Sequence, residues 1–283
     1  DEGAETLAWS QEQRESTREA LANIETYANI RFREVAFTAD AADAQITFGS
    51  WKFDGDIMSA SAYAYLPVDG SGLGNTSGDI WFDWDEPGVN WDPRTPTDVD
   101  KGSFWYSTIL HEVGHAIGFK HPFEGDPSLS IFNNFSYNTV MAYEHFNSFS
   151  KFDQAYPEEP SSLQLYDVVQ LQAMYGVRTD YNTENNQYIF DSNDANQQTI
   201  WDAGGLDTLN MTRSSVDLKI DLRQGQFTDL QQDTPDGDGV IESSVYSNSI
   251  RIAYGTVIEN ARGGSGNDTI FGNETRNLIF AND

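Results

Sequence analysis

The sequence predicts two unlike halves: an α/β domain with a mixed, twisted sheet and long helices over residues 1–178, then an all-β domain over 179–283. Three observations carry this reading. Helical periodicity recurs up to about residue 177, and none survives beyond Asp180. Aromatic-rich runs with strand-like alternation lie between the first two helical stretches. The second half is built of short apolar runs divided by Asn, Asp and Gly turns, with a glycine-rich nonapeptide near its end.

The first helix is expected over 11–28, where Leu21, Ile24 and Ala28 share a face and charges lie opposite. Residues 31–37, 44–48, 61–66 and 79–84 read as strands; in the second of these Ala44, Ile46 and Phe48 alternate with polar residues. Gly- and Pro-rich turns at 70–78 and 87–96 separate them. A second helix is expected over 104–119. A third starts at Ser161, where Ser161 and Gln164 suit a capping box, and stops at Gly176. Its buried face would carry Leu165, Val168, Val169 and Tyr175. Beyond it, 188–190, 217–222 and 250–254 read as strands.

With 283 residues, 38% of them hydrophobic, the chain can bury a substantial core. It has no run of about 18 apolar residues, so no membrane-spanning helix is expected. The opening Asp1-Glu2-Gly3-Ala4-Glu5 is acidic where a signal peptide would be basic, which suggests a processed form. Cysteine is absent, so thiolates are excluded as metal ligands and any zinc must be held by His, Asp or Glu. That absence leaves the compartment open. A net charge of −29 argues against nucleic acid and membrane as partners. Either cations, calcium foremost, offset this charge, or the acidic face is simply solvated.

Three of the four histidines fall in His111-Glu112-Val113-Gly114-His115-Ala116-Ile117-Gly118-Phe119-Lys120-His121. His111 and His115 are four apart, so on a helix they share a face and can reach one ion. Glu112, rotated by about 100° from His111, stands beside that ion as a base for water. Gly118 admits the positive φ of a sharp reversal, and the returning chain offers His121. Three protein ligands leave a fourth position for water, which marks a catalytic rather than a closed structural zinc. The bland alternative, a helix that merely carries histidines, does not account for Glu and Gly at these spacings.

Beyond His121 comes Asn138-Thr139-Val140-Met141-Ala142-Tyr143, with Met141 twenty residues past that histidine. Together the two segments resemble the metzincins, whose extended histidine motif is followed by a methionine-containing turn. Pro122 directly after His121, and Tyr143 two past the methionine, narrow the resemblance to the serralysin branch of secreted bacterial proteases. The resemblance implies that Met141 packs as a floor under the histidines. It implies that Tyr143 is an additional zinc ligand at rest and turns to the oxyanion when substrate binds. Tyr63-Ala64-Tyr65-Leu66-Pro67 would be the rim strand and Gly78-Asp79-Ile80-Trp81-Phe82 the strand after it, with Ala62, Tyr63, Ala64 and Tyr65 pairing with extended substrate.

The implied activity is that of a secreted, extracellular zinc endopeptidase cutting internal bonds of protein or peptide substrates, with one catalytic Zn²⁺. A proteinaceous inhibitor is a further implied partner, and a monomer is expected. Two other readings stand beside it: a calcium-dependent secreted binding protein or pseudo-enzyme with a structural zinc, and a metalloenzyme acting on a small amide or ester. His145 fits no pattern and reads as a surface or structural histidine.

Gly263-Gly264-Ser265-Gly266-Asn267-Asp268-Thr269-Ile270-Phe271 matches the calcium-binding nonapeptide G-G-x-G-x-D-x-U-x. Gly264 and Gly266 allow turns whose carbonyls face an ion, Asp268 supplies a carboxylate, and Ile270 would point inward. The next nine residues are a decayed copy with Asn277 in the Asp position. Trp201-Asp202-Ala203-Gly204-Gly205-Leu206-Asp207 resembles a recurrent calcium loop of serralysin C-terminal domains, which implies Asp202 and Asp207 as ligands. Asp236-Gly237-Asp238-Gly239 is EF-hand-like only in fragment and serves equally as a polar turn. Several structural Ca²⁺ ions are therefore expected in a β-sandwich or partial parallel β-roll. One good repeat and one poor one, with no C-terminal secretion signal, are read as truncation or a short variant.

Overall fold

The computed structural model describes residues 6–35, 44–53, 60–67, 76–85, 91–94, 98–125, 128–130, 133–143, 159–191, 197–230 and 249–281. Helix α1 (Gln11–Tyr27) starts at a reciprocal cap: Gln13 N–H donates to Ser10 Oγ and Ser10 N–H to Gln13 Oε1. It buries Ala20, Ile24 and Tyr27. Its buried polar residues are tied across the core, Gln13 Nε2 to the Trp91 carbonyl and the Ser16 hydroxyl to the Val99 carbonyl.

Three strands form the first sheet: β1 (Thr47–Trp51), β2 (Ala62–Ala64) and β3 (Asp79–Asp83), in the order β1-β3-β2. β1 runs parallel to β3 and β2 antiparallel to it, so the sheet is mixed as expected, with β2 on its edge. Ile80 and Phe82 of β3 point into a core shared with α1 and with α2 (Phe104–Ala116), where Phe82 stacks on Trp91 at 4.3 Å.

Helix α3 (Leu165–Tyr175) differs from expectation at two points. It begins four residues later than Ser161, and the reciprocal partner of its cap is Asp167, which accepts the Gln164 N–H at 2.9 Å. Val169 is exposed; Leu165, Val168 and Leu171 face the core. Residues 31–35 are not a strand either: they form no sheet ladder, and the Phe32 N–H is taken by the Glu25 side chain. Residues 36–37, His145 and the segment 236–239 lie outside the described residues.

The second half wraps a separate core of Leu209, Met211, Leu218, Ile220, Leu222, Ile250, Ile252 and Ala261 between two sheets. One sheet is wholly parallel, ordered β12-β10-β6-β4: β4 (Gln187–Ile189), β6 (Thr208–Asn210), β10 (Asn260–Arg262) and β12 (Leu278–Phe280). The other is mixed, ordered β11-β7-β8-β9-β5: β5 (Gln198–Ile200), β7 (Lys219–Asp221), β8 (Phe227–Asp229), β9 (Ser249–Ile252) and β11 (Thr269–Phe271). β10, β11 and β12 begin nine residues apart and alternate between sheets, so the nonapeptide and its decayed copy complete one turn of a parallel roll. The two halves are not independent. Trp201 and Ala253 join the first core, Tyr27 Oη donates to the Thr199 carbonyl, and Arg251 Nη1 donates to Asn138 Oδ1 at 2.7 Å.

Candidate active site

Helix α2 positions the first two histidines and then stops abruptly. Phe119 N–H donates to the Gly114 carbonyl and Gly118 N–H to the His115 carbonyl, with Gly118 at φ 104°. This is the paired closure that a glycine one residue past the helix end allows. The chain reverses there and brings His121 opposite His115, their Nε2 atoms 3.1 Å apart.

Each histidine has its other nitrogen occupied. His111 Nδ1 lies 2.8 Å from the Val140 carbonyl, His115 Nδ1 2.9 Å from the Phe119 carbonyl, and His121 Nδ1 2.9 Å from Glu124 Oε1. These acceptors hold the Nδ1–H tautomer and leave Nε2 as the metal-facing atom. Burial lowers the His111 pKa to about 3, with the His115 charge adding to it, and burial also lowers that of His115. Both are thus kept as neutral imidazoles, the form that binds metal.

Ligating atoms of all three lie within 4.8 Å of one another. Two ligands at zinc distances on a tetrahedral ion stand roughly 3.3 Å apart, so the spacing at His115 and His121 suits that ion. Beside them Glu112 is buried, and its Oε2 has no hydrogen-bond partner. Burial raises its carboxyl to about 8. A cation at the histidines would favour its ionised form and offset that cost. The residues therefore fit a zinc ion.

The methionine turn lies directly beneath. Met141 is buried, and its Sδ sits where a side chain at position 114 would be: a Cβ on Gly114 would approach it to 2.6 Å. The glycine inside the histidine motif thus makes room for the floor. Asp167, in the first turn of α3, holds the turn in place. Its carboxylate accepts the Thr139 hydroxyl at 2.5 Å, the Val140 N–H at 2.8 Å and the Gln164 N–H at 2.9 Å.

Tyr143 follows the turn and is exposed, its ring stacked on His111 at 5.5 Å and tilted against His121 at 4.6 Å. Its pKa is raised, first by partial burial and then by the charges of Glu112 and Glu124. The edge strand β2 borders the opposite side. A cavity of about 330 Å³ is lined by Ala60, Ser61 and Ala62 on that side, by His111, Glu112 and Tyr143, and by Glu159. Among the described residues, Ala62 to Ala64 pair only with β3, on one edge. Tyr65 is a step removed, its N–H bound to the Asp79 carbonyl.

In the second half, Asp202 and Asp207 are both buried, and they lie close enough for the Asp202 charge to act on Asp207. Gly204 N–H and Tyr188 Oη donate to Asp202, and Asn186 N–H donates to Asp207 Oδ1, while Asp207 Oδ2 is buried without a partner. Asp207 is raised to about 6 by burial and by the charges of Asp202 and Glu259. Asp268 accepts the Gly264 and Leu218 N–H groups, and Asn277 takes the matching N–H of Asn273 in the decayed copy. Gly264 and Gly266 pass so near the Ser214 and Val216 carbonyls that a Cβ would lie 2.4 and 2.3 Å from them. Ile270 packs on the second core.

Sequence reasoning did not single out Asp167, Glu124, Glu159 or Glu259. Glu124 stands three residues past His121, a spacing that could have flagged it. The others reach their partners only through the fold.

Residues 3–143 match the family model described as Matrixin, and residues 166–283 that described as Peptidase M10 serralysin C terminal. The chain is 30% identical to a serralysin of Photorhabdus luminescens, over 98% of its own length and 55% of that protein. It is 31% identical to a serralysin of Proteus mirabilis over 94% of itself and 55% of the relative. Against the metallopeptidase AprA of Pseudomonas marginalis the figures are 29%, 89% and 52%. The chain thus spans about half the length of these curated relatives. Its two matched regions, in this order and around this histidine cluster, place the chain in the serralysin family of metzincins.

Proposed function

We propose that the chain is a zinc-dependent endopeptidase that acts outside the cell on extended protein or peptide substrates. The single observation that carries this is the buried, unpartnered Oε2 of Glu112 beside three convergent histidines at the floor of an open cleft. A closed structural site, or an adhesin that acts through its β half, would have no use for it.

His111, His115 and His121 would hold the zinc, which when bound supplies Lewis acidity toward water and the scissile carbonyl. Glu112 takes a proton from the attacking water as its oxygen bonds to the carbonyl carbon, then delivers that proton to the leaving amine as the C–N bond breaks. Tyr143, exposed and in contact with His111 and His121 through its ring, donates its hydroxyl to the developing oxyanion, and would be a further zinc ligand at rest. Ala62, Tyr63 and Ala64 offer a strand edge for substrate backbone, with Tyr65 continuing the rim. Met141 would be the floor under the histidines that hold the metal.

Calcium belongs to the same reading. Asp202 and Asp207, with Glu259 beside them, are assigned to one ion, and Gly264, Gly266 and Asp268 to another. A catalytic unit up to about residue 178, a monomeric chain and a proteinaceous inhibitor filling the cleft are its remaining parts. The test is Glu112→Gln: hydrolysis of casein should vanish while one zinc per chain stays bound. Near-normal turnover by that variant would remove Glu112 from its role and the reading with it.

A further inference from the structure

Arg251 belongs to β9 in the second half, yet its guanidinium reaches into the first, where Nη1 donates to Asn138 Oδ1 at 2.7 Å. Both residues are buried, so truncating either one leaves a desolvated group without this bond. Aromatic rings aim the guanidinium. It lies 3.4 Å from the ring centroid of Phe227, its cross-strand neighbour on β8, and 5.9 Å from that of Tyr137. The Tyr137 and Phe227 rings meet edge to face at 5.6 Å, and Tyr137 stacks on Phe135 at 5.3 Å. Residues 135–138 are thereby held against β8 and β9.

That segment leads directly into the methionine turn. The other polar groups of Asn138 are also engaged: its N–H donates to the Phe135 carbonyl, its Nδ2 to the Asn133 carbonyl, and its own carbonyl accepts the Tyr166 N–H of α3. Two residues on, the Val140 carbonyl meets His111 Nδ1, and Ser136, Val140 and Ala142 line the cavity that His111 and Glu112 share. We propose that Arg251 is a positioning residue for the zinc site: through Asn138 it sets the start of the methionine turn, and with it the carbonyl that orients His111. This rests on the zinc endopeptidase reading. A guanidinium suits the task because its plane stacks on Phe227 while its edge donates, a combination that an ammonium lacks. The role is one of alignment, exerted through Asn138 and not on the reacting atoms.

The experiment compares the full chain with Arg251→Met, Arg251→Lys, Asn138→Ala and the double variant Arg251→Met/Asn138→Ala. The readouts are zinc affinity by chelator competition, the visible absorption of the cobalt-substituted chain, and kcat and KM on a defined peptide. Arg251→Met keeps the stem but not the donor; it should bind zinc about tenfold more weakly, shift the cobalt bands and lower kcat with KM little changed. Arg251→Lys can still donate to Asn138 and should recover part of each loss. The double variant should bind zinc no more weakly than Asn138→Ala alone, because both substitutions break the same link. An Arg251→Met chain that is less stable in urea but keeps its zinc affinity and cobalt spectrum overturns the proposal, and so do additive losses in the double variant. If Arg251→Met does not fold, Asn138→Ala decides: an unchanged cobalt spectrum in that variant overturns the proposal as well. Zinc binding with these sensitivities but no cleavage of any peptide would remove only the endopeptidase reading and leave the positioning role standing.

Discussion

Asp167 and His111 are joined through a single residue: Val140 gives its N–H to Asp167 Oδ2 at 2.8 Å, and its carbonyl lies 2.8 Å from His111 Nδ1. The N-terminal turn of α3 therefore sets the orientation of a ligand on α2. Metal-binding histidines depend on such outer partners for tautomer and angle.

Asp167→Asn is predicted to damage both stability and metal affinity. The Val140 and Gln164 N–H groups both go to Oδ2, which the amide oxygen can replace, but the amide NH₂ then stands where Oδ1 accepted the buried Thr139 hydroxyl, and that hydrogen bond is lost in its present sense together with the charge on the other two. The expected loss is about 1–3 kcal/mol in urea unfolding. Zinc affinity should fall roughly 10- to 100-fold in competitive chelator titration. The pH dependence has a defined sign. Burial raises the Asp167 carboxyl to about 6, so the folded chain holds this proton more tightly than the unfolded chain. Its contribution is therefore most favourable at low pH and declines from about pH 4 until the carboxyl has ionised above about 6. The variant, lacking the proton, should show no such decline when the two unfolding curves are compared.

Gly114→Ala sets two effects against each other. Alanine within a helix gains about 1 kcal/mol over glycine. The added methyl would meet Met141 Sδ at 2.6 Å and Phe119 Cδ2 at 3.2 Å in a filled core, and overpacking of that kind costs about 1–3 kcal/mol. A net destabilisation is expected in denaturant titration, together with weaker zinc binding, because the displaced floor is the one beneath the histidines.

Tyr143→Phe keeps the ring stacked on His111 and removes only the hydroxyl. Hydrolysis of a defined peptide should slow about 10²-fold, with the loss in kcat and little change in KM. An equal loss placed in KM would make Tyr143 a substrate-binding residue instead.

The second half should be stabilised by calcium, by about 2.7 kcal/mol when the free ion is at a hundred times its Kd. Asp207→Asn keeps an acceptor for the Asn186 N–H and removes a charge from the cluster with Asp202 and Glu259. In a calcium chelator this variant should be at least as stable as the unaltered chain, and in calcium its thermal shift should be much smaller. An undiminished shift would move the ion elsewhere.

The parts legible in the sequence were those whose physics is local. The spacing of His111 and His115, the reversal at Gly118 and the nine-residue step from Asp268 to Asn277 all operate over a turn or two of chain. Val169 misled because a helix face was assigned from hydrophobicity alone, and α3 presents that residue to solvent. Residues 31–35 carry β-prone side chains, but among the described residues no strand pairs with their backbone. Asp167 was invisible for a different reason: a single first-turn acid looks like a helix cap, and only the fold brings the 139–140 turn against it. Glu159 is the same case, an ordinary acidic residue in sequence and a cavity wall in three dimensions.

The central claim is most directly tested by casein hydrolysis before and after removal of metal with o-phenanthroline, followed by one equivalent of zinc. Cleavage should be lost with the metal and return with the added zinc. Hydrolysis that continues in the chelated, zinc-free protein would contradict the account.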